Sequence, residues 1–207
     1  MLFLHNTSRV EDEPYPRLLQ DKGFRGFPSI CFMDAEGNVL TKPGRTVKAM
    51  AEMQAETQQL VALRQKGDKA PAADQKALFL LELRLDLVKA EEIQARADRL
   101  SLDAADKAFV AQRLVDAEIA AIQATAQKEG PEKTGAAMAA LLAAGKAPSD
   151  LVGSNFWVTV LNHAAKQKDA ALAQRCYDVL QTRHGGDKQY ERAFTAWKKA
   201  LDEAKAK

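Results

Sequence analysis

The side chains able to do chemistry are few and widely separated. Two cysteines, Cys31 and Cys176, stand far apart in the chain, and no Cys-x-x-Cys occurs. Dithiol exchange needs an attacking thiolate and a resolving partner, so neither residue offers redox turnover. Cys31 lies in an apolar run and Cys176 in a helical pattern beside Tyr177; both read as buried thiols that pack as small hydrophobes. The sequence does not bring the two together for a disulfide. Among the histidines, His5 follows an opening apolar run, His163 falls within a helical pattern and His184 precedes Gly185-Gly186. No pair of them has metal-ligand spacing, and His184 reads as a residue at a helix C-terminus, interacting with free carbonyls. No Ser/His/Asp or Cys/His nucleophile system has a local signature. Gly185-Gly186 is a turn rather than a phosphate loop. The runs Glu11-Asp12-Glu13 and Glu91-Glu92 are helix starts or solvated charge. The expectation is a chain with no catalytic residues, no cofactor and no metal.

The elements that would position a binding site are clearest in Lys22–Leu40. Ser29–Met33 is a short run of strand formers, Asp34-Ala-Glu-Gly-Asn is a turn, and Val39-Leu40 returns as a second strand. Gly37 suits the left-handed position that closes such a hairpin. Pro28 stands just before the first strand, where a missing N–H is tolerated. Upstream, Leu2–His5 reads as a buried strand, and Tyr15, Leu18 and Leu19 give Pro16–Lys22 one apolar side before Gly23 ends it. Thr46 is a helix cap, and Val47 opens a helical pattern through Leu63.

Gly23-Phe-Arg-Gly-Phe-Pro-Ser29, the apolar strand, Asp-x-x-Gly-x-Val and the helix that follows resemble the C-terminal half of a thioredoxin-fold domain. The resemblance covers roughly residues 1–60. It implies a cis peptide bond before Pro28 and a peptide-binding backbone at Phe27 and Pro28. The family's cysteine pair lies in a segment that precedes this half, so this chain as it stands should not be a disulfide oxidoreductase. The resemblance also implies that Leu2–His5 lacks its family neighbours. That strand is then expected to pair directly with Ser29–Met33, with self-association through the incomplete sheet.

Lys66-Gly-Asp-Lys-Ala-Pro71 is a linker-like break, giving an expected division into a partial thioredoxin-like unit, 1–66, and a helical domain, 67–207. Beyond Pro71 all patterns are helical. Apolar stripes mark Ala72–Lys89, a short helix over Glu91–Leu100, and a long one capped by Asp103 and Asp106 that Glu129-Gly-Pro-Glu stops. Ala136–Ala144 is a further short helix. Phe156-Trp157, Val160-Leu161 and Ala164 begin a cadence of helices with short turns, and Tyr190, Ala193, Phe194, Trp197 and Leu201 line one face of the last. An aromatic on the leading helix and alanines at close contacts resemble tetratricopeptide-type (TPR) helical hairpins. The fold class expected is therefore α+β, mostly α.

Bulk properties narrow the partner. With 46% hydrophobic and 28% charged residues the chain has the make-up of a folded, soluble protein. Lys and Arg total 30 against 28 Asp and Glu, a balance that gives no reason to expect nucleic acid or an anionic membrane. No apolar run reaches membrane-spanning length. Met1-Leu-Phe-Leu lacks a secretory signal's basic start and cleavage site. The leading expectation is a non-catalytic, thioredoxin-like protein that binds a protein or peptide through its helical domain. The alternative is a fragment of a thioredoxin-family redox protein whose cysteine pair lies upstream of Met1, read by the same logic as a role in cell redox homeostasis for the parent family.

Overall fold

The computed structural model describes residues 17–24, 29–44 and 46–206. The chain is mostly helical with a small two-stranded antiparallel sheet. It divides into two compact units at Val88/Lys89.

In the first unit a four-residue helix, α1 (Leu18–Asp21), ends at Gly23, whose φ is +72°. Strands β1 (Phe32–Met33) and β2 (Val39–Thr41) form the hairpin. Its turn is built by Asp34, which accepts the Asn38 backbone N–H at 2.7 Å and the Asn38 side-chain amide at 2.9 Å. These bonds, the side-chain one first, lower the Asp34 pKa. Gly37 takes the left-handed φ of +79° that the turn requires. The first strand is shorter than the expected Ser29–Met33. Its register slips between Phe32 and Met33, and an irregular ladder does not propagate. Leu2–His5, Phe27 and Pro28 lie outside the described residues, and with them the expected cis bond and strand pairing.

Helix α2 (Val47–Gln65) starts where its cap predicts, with Thr46 Oγ1 accepting the Ala49 N–H at 3.1 Å. A buried hydroxyl pair, Thr41 and Thr57 at 2.7 Å, ties β2 to α2. Helix α3 (Ala72–Arg84) shares a core with α2 through Leu60, Leu63 and Leu81. Arg64 donates twice to the buried Glu82 carboxylate, at 2.9 and 2.8 Å. The break expected as a domain boundary after Lys66 is thus the turn between two helices with a common core. Gly67 and Pro71 stand where the chain reverses, and α3 belongs with the first unit.

The second unit begins with α4 (Ala90–Ala97), followed by α5 (Ala104–Ala143). Asp103 and Asp106 cap α5 reciprocally, each side chain accepting the other's backbone N–H. Helical geometry fails inside α5 at Gly130, with φ 82° and ψ 166°. A straight helix would put Gln112 about 45 Å from Ala143. Yet Gln112 donates to the Ala147 carbonyl at 2.9 Å, Lys146 pairs with Glu118 at 2.7 Å, and Ser149 bonds Asp116. The second limb therefore runs back beside the first, and α5 is a helical hairpin turned at Gly130. Pro131 opens the returning limb, where its missing N–H is harmless, so that limb starts earlier than the expected Ala136. Alanine at position 130 is predicted to cost about 1–3 kcal/mol, because this φ/ψ region is essentially glycine's alone. A Cβ there meets nothing within 4 Å, so the loss, read from urea unfolding, would report backbone strain only.

Helices α6 (Asn155–Gln167), α7 (Ala170–His184) and α8 (Glu191–Lys205) complete the unit. Lys168 (φ 56°) and the Asp169 cap make the tight α6–α7 turn. Helix α6 packs against α5, α7 and α8, and Phe156, Val160, Leu161 and Ala164 are wholly buried. Small residues set the spacing. A Cβ on Gly135 of the returning α5 limb would lie 2.7 Å from the His163 Cβ, so glycine is what lets that limb reach α6. The buried faces repeat. Trp157-x-x-Val160-Leu161-x-x-Ala164 on α6 recurs as Trp197-x-x-Ala200-Leu201-x-x-Ala204 on α8. Gly135, Met138 and Leu142 on α5 recur as Ala173, Cys176 and Leu180 on α7.

Candidate interaction surface

Three packed neighbours leave α6 one open stripe. Asn155, Thr159, Asn162 and Lys166 fall at i, i+4, i+7 and i+11, which is a single helix face. Asn155, Asn162 and Lys166 are exposed and Thr159 is half-buried. The Asn155 and Asn162 amides and the Lys166 ammonium have no side-chain partner among the described residues. Thr159 bonds back to the Asn155 carbonyl at 2.7 Å. On α8, Arg192 and Lys199 are exposed, the latter 3.8 Å from Glu203. This surface was not visible in the linear sequence, because only the burial of the other three sides of α6 marks the fourth as open. The one available signal was that α6 carries no Asp or Glu at all.

The connection into α6 is braced on both sides. Asp116, on the first limb of α5, accepts the Ser149 N–H at 2.9 Å and the Ser149 hydroxyl at 2.6 Å, and pairs with Arg113 at 3.2 Å. Arg183, on α7, donates to the Val152 carbonyl at 3.1 Å and pairs with Asp150. Together these bonds fix the segment that aims the first turn of α6.

His184 does not serve the free carbonyls of α7 as expected. Its Nε2 meets the Ser154 hydroxyl, and its ring stacks on Tyr190 at 3.9 Å between centroids. Ser154 opens α6 and His184 closes α7, so the antiparallel hairpin brings the two ends together. Tyr190, Phe194 and Trp197 continue the aromatic contact along α8. A hydroxyl on an imidazole is half of a nucleophile system, but among the described residues no carboxylate orients this ring. The pair ties two helix ends. His163 lies in α6 against Gly135, and His5 lies outside the described residues. Among those residues no group of His, Cys, Asp and Glu is arranged to hold a metal, and no helix is long and apolar enough to cross a membrane.

The thiols differ in environment. Cys31 is half-buried; burial raises its pKa, although Lys42 and Lys22 pull the other way. Cys176 is fully buried among the α6–α8 core residues and is pushed up to about 12. At pH 7 both should therefore be overwhelmingly protonated, and thiolate is the nucleophile. Iodoacetamide at pH 7 is expected to modify Cys31 more slowly than free cysteine and to leave Cys176 untouched until the protein is denatured, as read by intact-mass spectrometry. Insulin reduction by dithiothreitol should not be accelerated by the protein.

Phe27 and Pro28, the peptide-binding positions that the thioredoxin resemblance implies, lie outside the described residues. Comparison with protein-family models, with curated proteins and with solved structures finds no match to this chain.

Proposed function

We propose that this protein acts by binding another protein through its helical unit, which we read as TPR-like. The first unit, on this reading, is a thioredoxin-like scaffold or degenerate peptide-binding module without thiol–disulfide turnover. The observation that carries the proposal is the recurrence of buried faces, α5 with α7 and α6 with α8. A hairpin that repeats its packing residues stacks on its neighbour, and such stacks present extended binding surfaces. The TPR skeleton is Trp-x2-Leu-Gly-x2-Tyr followed by Ala-x3-Phe. Here Trp157 and Ala173-x3-Tyr177 keep its spacing, with Val160 in the leucine place, Leu161 in the glycine place, Ala164 in the tyrosine place and Tyr177 in the phenylalanine place. Helix α8 has an apolar face of Trp197, Ala200, Leu201 and Ala204 and an outer face of charged residues.

The test is affinity enrichment with the intact chain followed by lysine crosslinking of the recovered complex. Crosslinks from Lys133, Lys166 or Lys199 to the partner are expected. Crosslinks confined to Lys22, Lys42 and Lys48 would place binding on the first unit and overturn the reading.

A further inference from the structure

We propose that Gly130 and Pro131 act together as a lock that keeps this chain from exchanging its helices with a second copy. The proposal concerns self-recognition and stands independently of the binding role above. The α5 hairpin turns on one residue. Gly130 alone leaves helical geometry, at φ 82° and ψ 166°, and the limbs on either side of it are helical. Good helix formers flank the turn, with Ala124, Ala126 and Lys128 before it and Glu132, Ala136 and Ala137 after it. Were residue 130 helical too, the limbs would join into one rod. Ile119 and Met138, which share a core in the hairpin, would then lie about 29 Å apart. The returning limb and α6–α8 would leave the first limb of their own chain and could pack only on that of another.

The contacts across the hairpin specify that second copy. Asp116 with Ser149, Glu118 with Lys146, and Gln112 with the Ala147 carbonyl all join the first limb to the chain beyond the turn. In an opened pair each copy supplies the half that the other has lost, and these bonds are remade between chains about a two-fold axis at the hinge. Exchange conserves the interface, so the hinge decides between the two forms. Short turns invite such exchange, and two residues oppose it here. Gly130 makes the closed turn easy, because this backbone region is essentially glycine's alone. A Cβ there would meet nothing within 4 Å, so the requirement is one of backbone geometry only. Pro131 obstructs the open form. In a continuous helix it would offer no N–H to the Gln127 carbonyl, and its ring would clash with that group. At the start of the returning limb it does no harm.

Light scattering after size-exclusion chromatography tests the lock on the intact chain refolded from urea. At about 100 μM an intact hinge should outcompete a second copy, since a short connection holds its ends at millimolar effective concentration. Wild type, Gly130→Ala and Pro131→Ala are expected at the 22.7 kDa of one chain, and Gly130→Ala/Pro131→Ala at twice that mass. To tell exchange from ordinary association, Glu118→Cys and Lys146→Cys are added in a Cys31→Ser background, Cys176 being buried. A short bismaleimide then joins the two new thiols. On a denaturing gel the bridge should link two chains in the double variant and stay within one chain when the hinge is wild type. Inserting two glycines after position 130 of the double variant loosens the closed turn and should return the mass to that of one chain. A monomeric double variant, a dimer bridged only within its chains, or a dimer that survives the insertion would overturn the proposal. So would a single variant that dimerises as fully as the double. Loss of the helical circular dichroism signal in the double variant would overturn it as well, because an exchanged pair rebuilds the contacts of the hairpin.

Discussion

Replacing Trp157 with alanine is expected to cost about 3–5 kcal/mol, the range for removing a buried aromatic. The indole is 5% exposed and meets Phe156 edge-on at 5.4 Å between centroids. It sits in the first turn of α6, the helix that touches α5, α7 and α8, so its cavity would open where the unit's helices converge. A domain of this kind has a total stability of about 5–15 kcal/mol, so the loss would be a large share of it. Urea unfolding followed by circular dichroism would measure the change as a lower midpoint. Lys198→Ala, on the outer face of α8, is the control and should stay within about 0.5 kcal/mol of wild type. A Trp157 variant as stable as that control would mean that α6 is not the centre of the unit.

The helices were legible wherever a cap or a clean apolar stripe marked them. Thr46 and Asp103 each accept a first-turn N–H, and the faces of α6 and α8 follow their aromatic and alanine spacing, whereas the Asp169 cap of α7 lay in a stretch that reads only as a short turn. The reversal at Gly130 was legible only in part. Gly-Pro announces a stop, but whether the next helix continues or folds back depends on residues far along the chain, here Gln112 and Asp116 against Ala147 and Ser149. The recurrence between α6 and α8 escaped for a related reason. Val160 is answered by Ala200, and the rest of the two helices differs, so the match emerges only once burial shows which positions to compare. The division expected after Lys66 moves because a Gly- and Pro-containing turn looks the same between domains as inside one. The shared core of Leu60, Leu63 and Leu81 decides that case. His184 and Ser154 had no signal in common, being joined by an antiparallel turn at Lys168 and not by spacing.

Asp116→Ala should be nearly as damaging as the loss of Trp157, for an electrostatic reason. The carboxylate is 5% exposed and its partner Arg113 is 8% exposed, so both were taken out of water on folding. Removing one member of a buried ion pair leaves the other charge without that compensation, typically at about 3–5 kcal/mol. Asp116 also accepts the Ser149 N–H and hydroxyl, and an unmet buried donor adds about 1–3 kcal/mol, although Ser149, being only half-buried, can recover part of this from water. Asp116→Asn would be the milder change. One amide oxygen could still accept the Ser149 N–H, while the NH2 group would face a guanidinium and a hydroxyl that both expect an acceptor. The order of stability expected in urea is therefore wild type, then Asp116→Asn, then Asp116→Ala. Amide exchange gives a local readout, because the Ser149 N–H loses its acceptor in the alanine variant and should exchange faster than amides in α7. Equal stability of the two variants would show that charge at Asp116 matters and hydrogen bonding does not. Protection of Ser149 unchanged in Asp116→Ala would show that the segment leading into α6 is held by Arg183 alone.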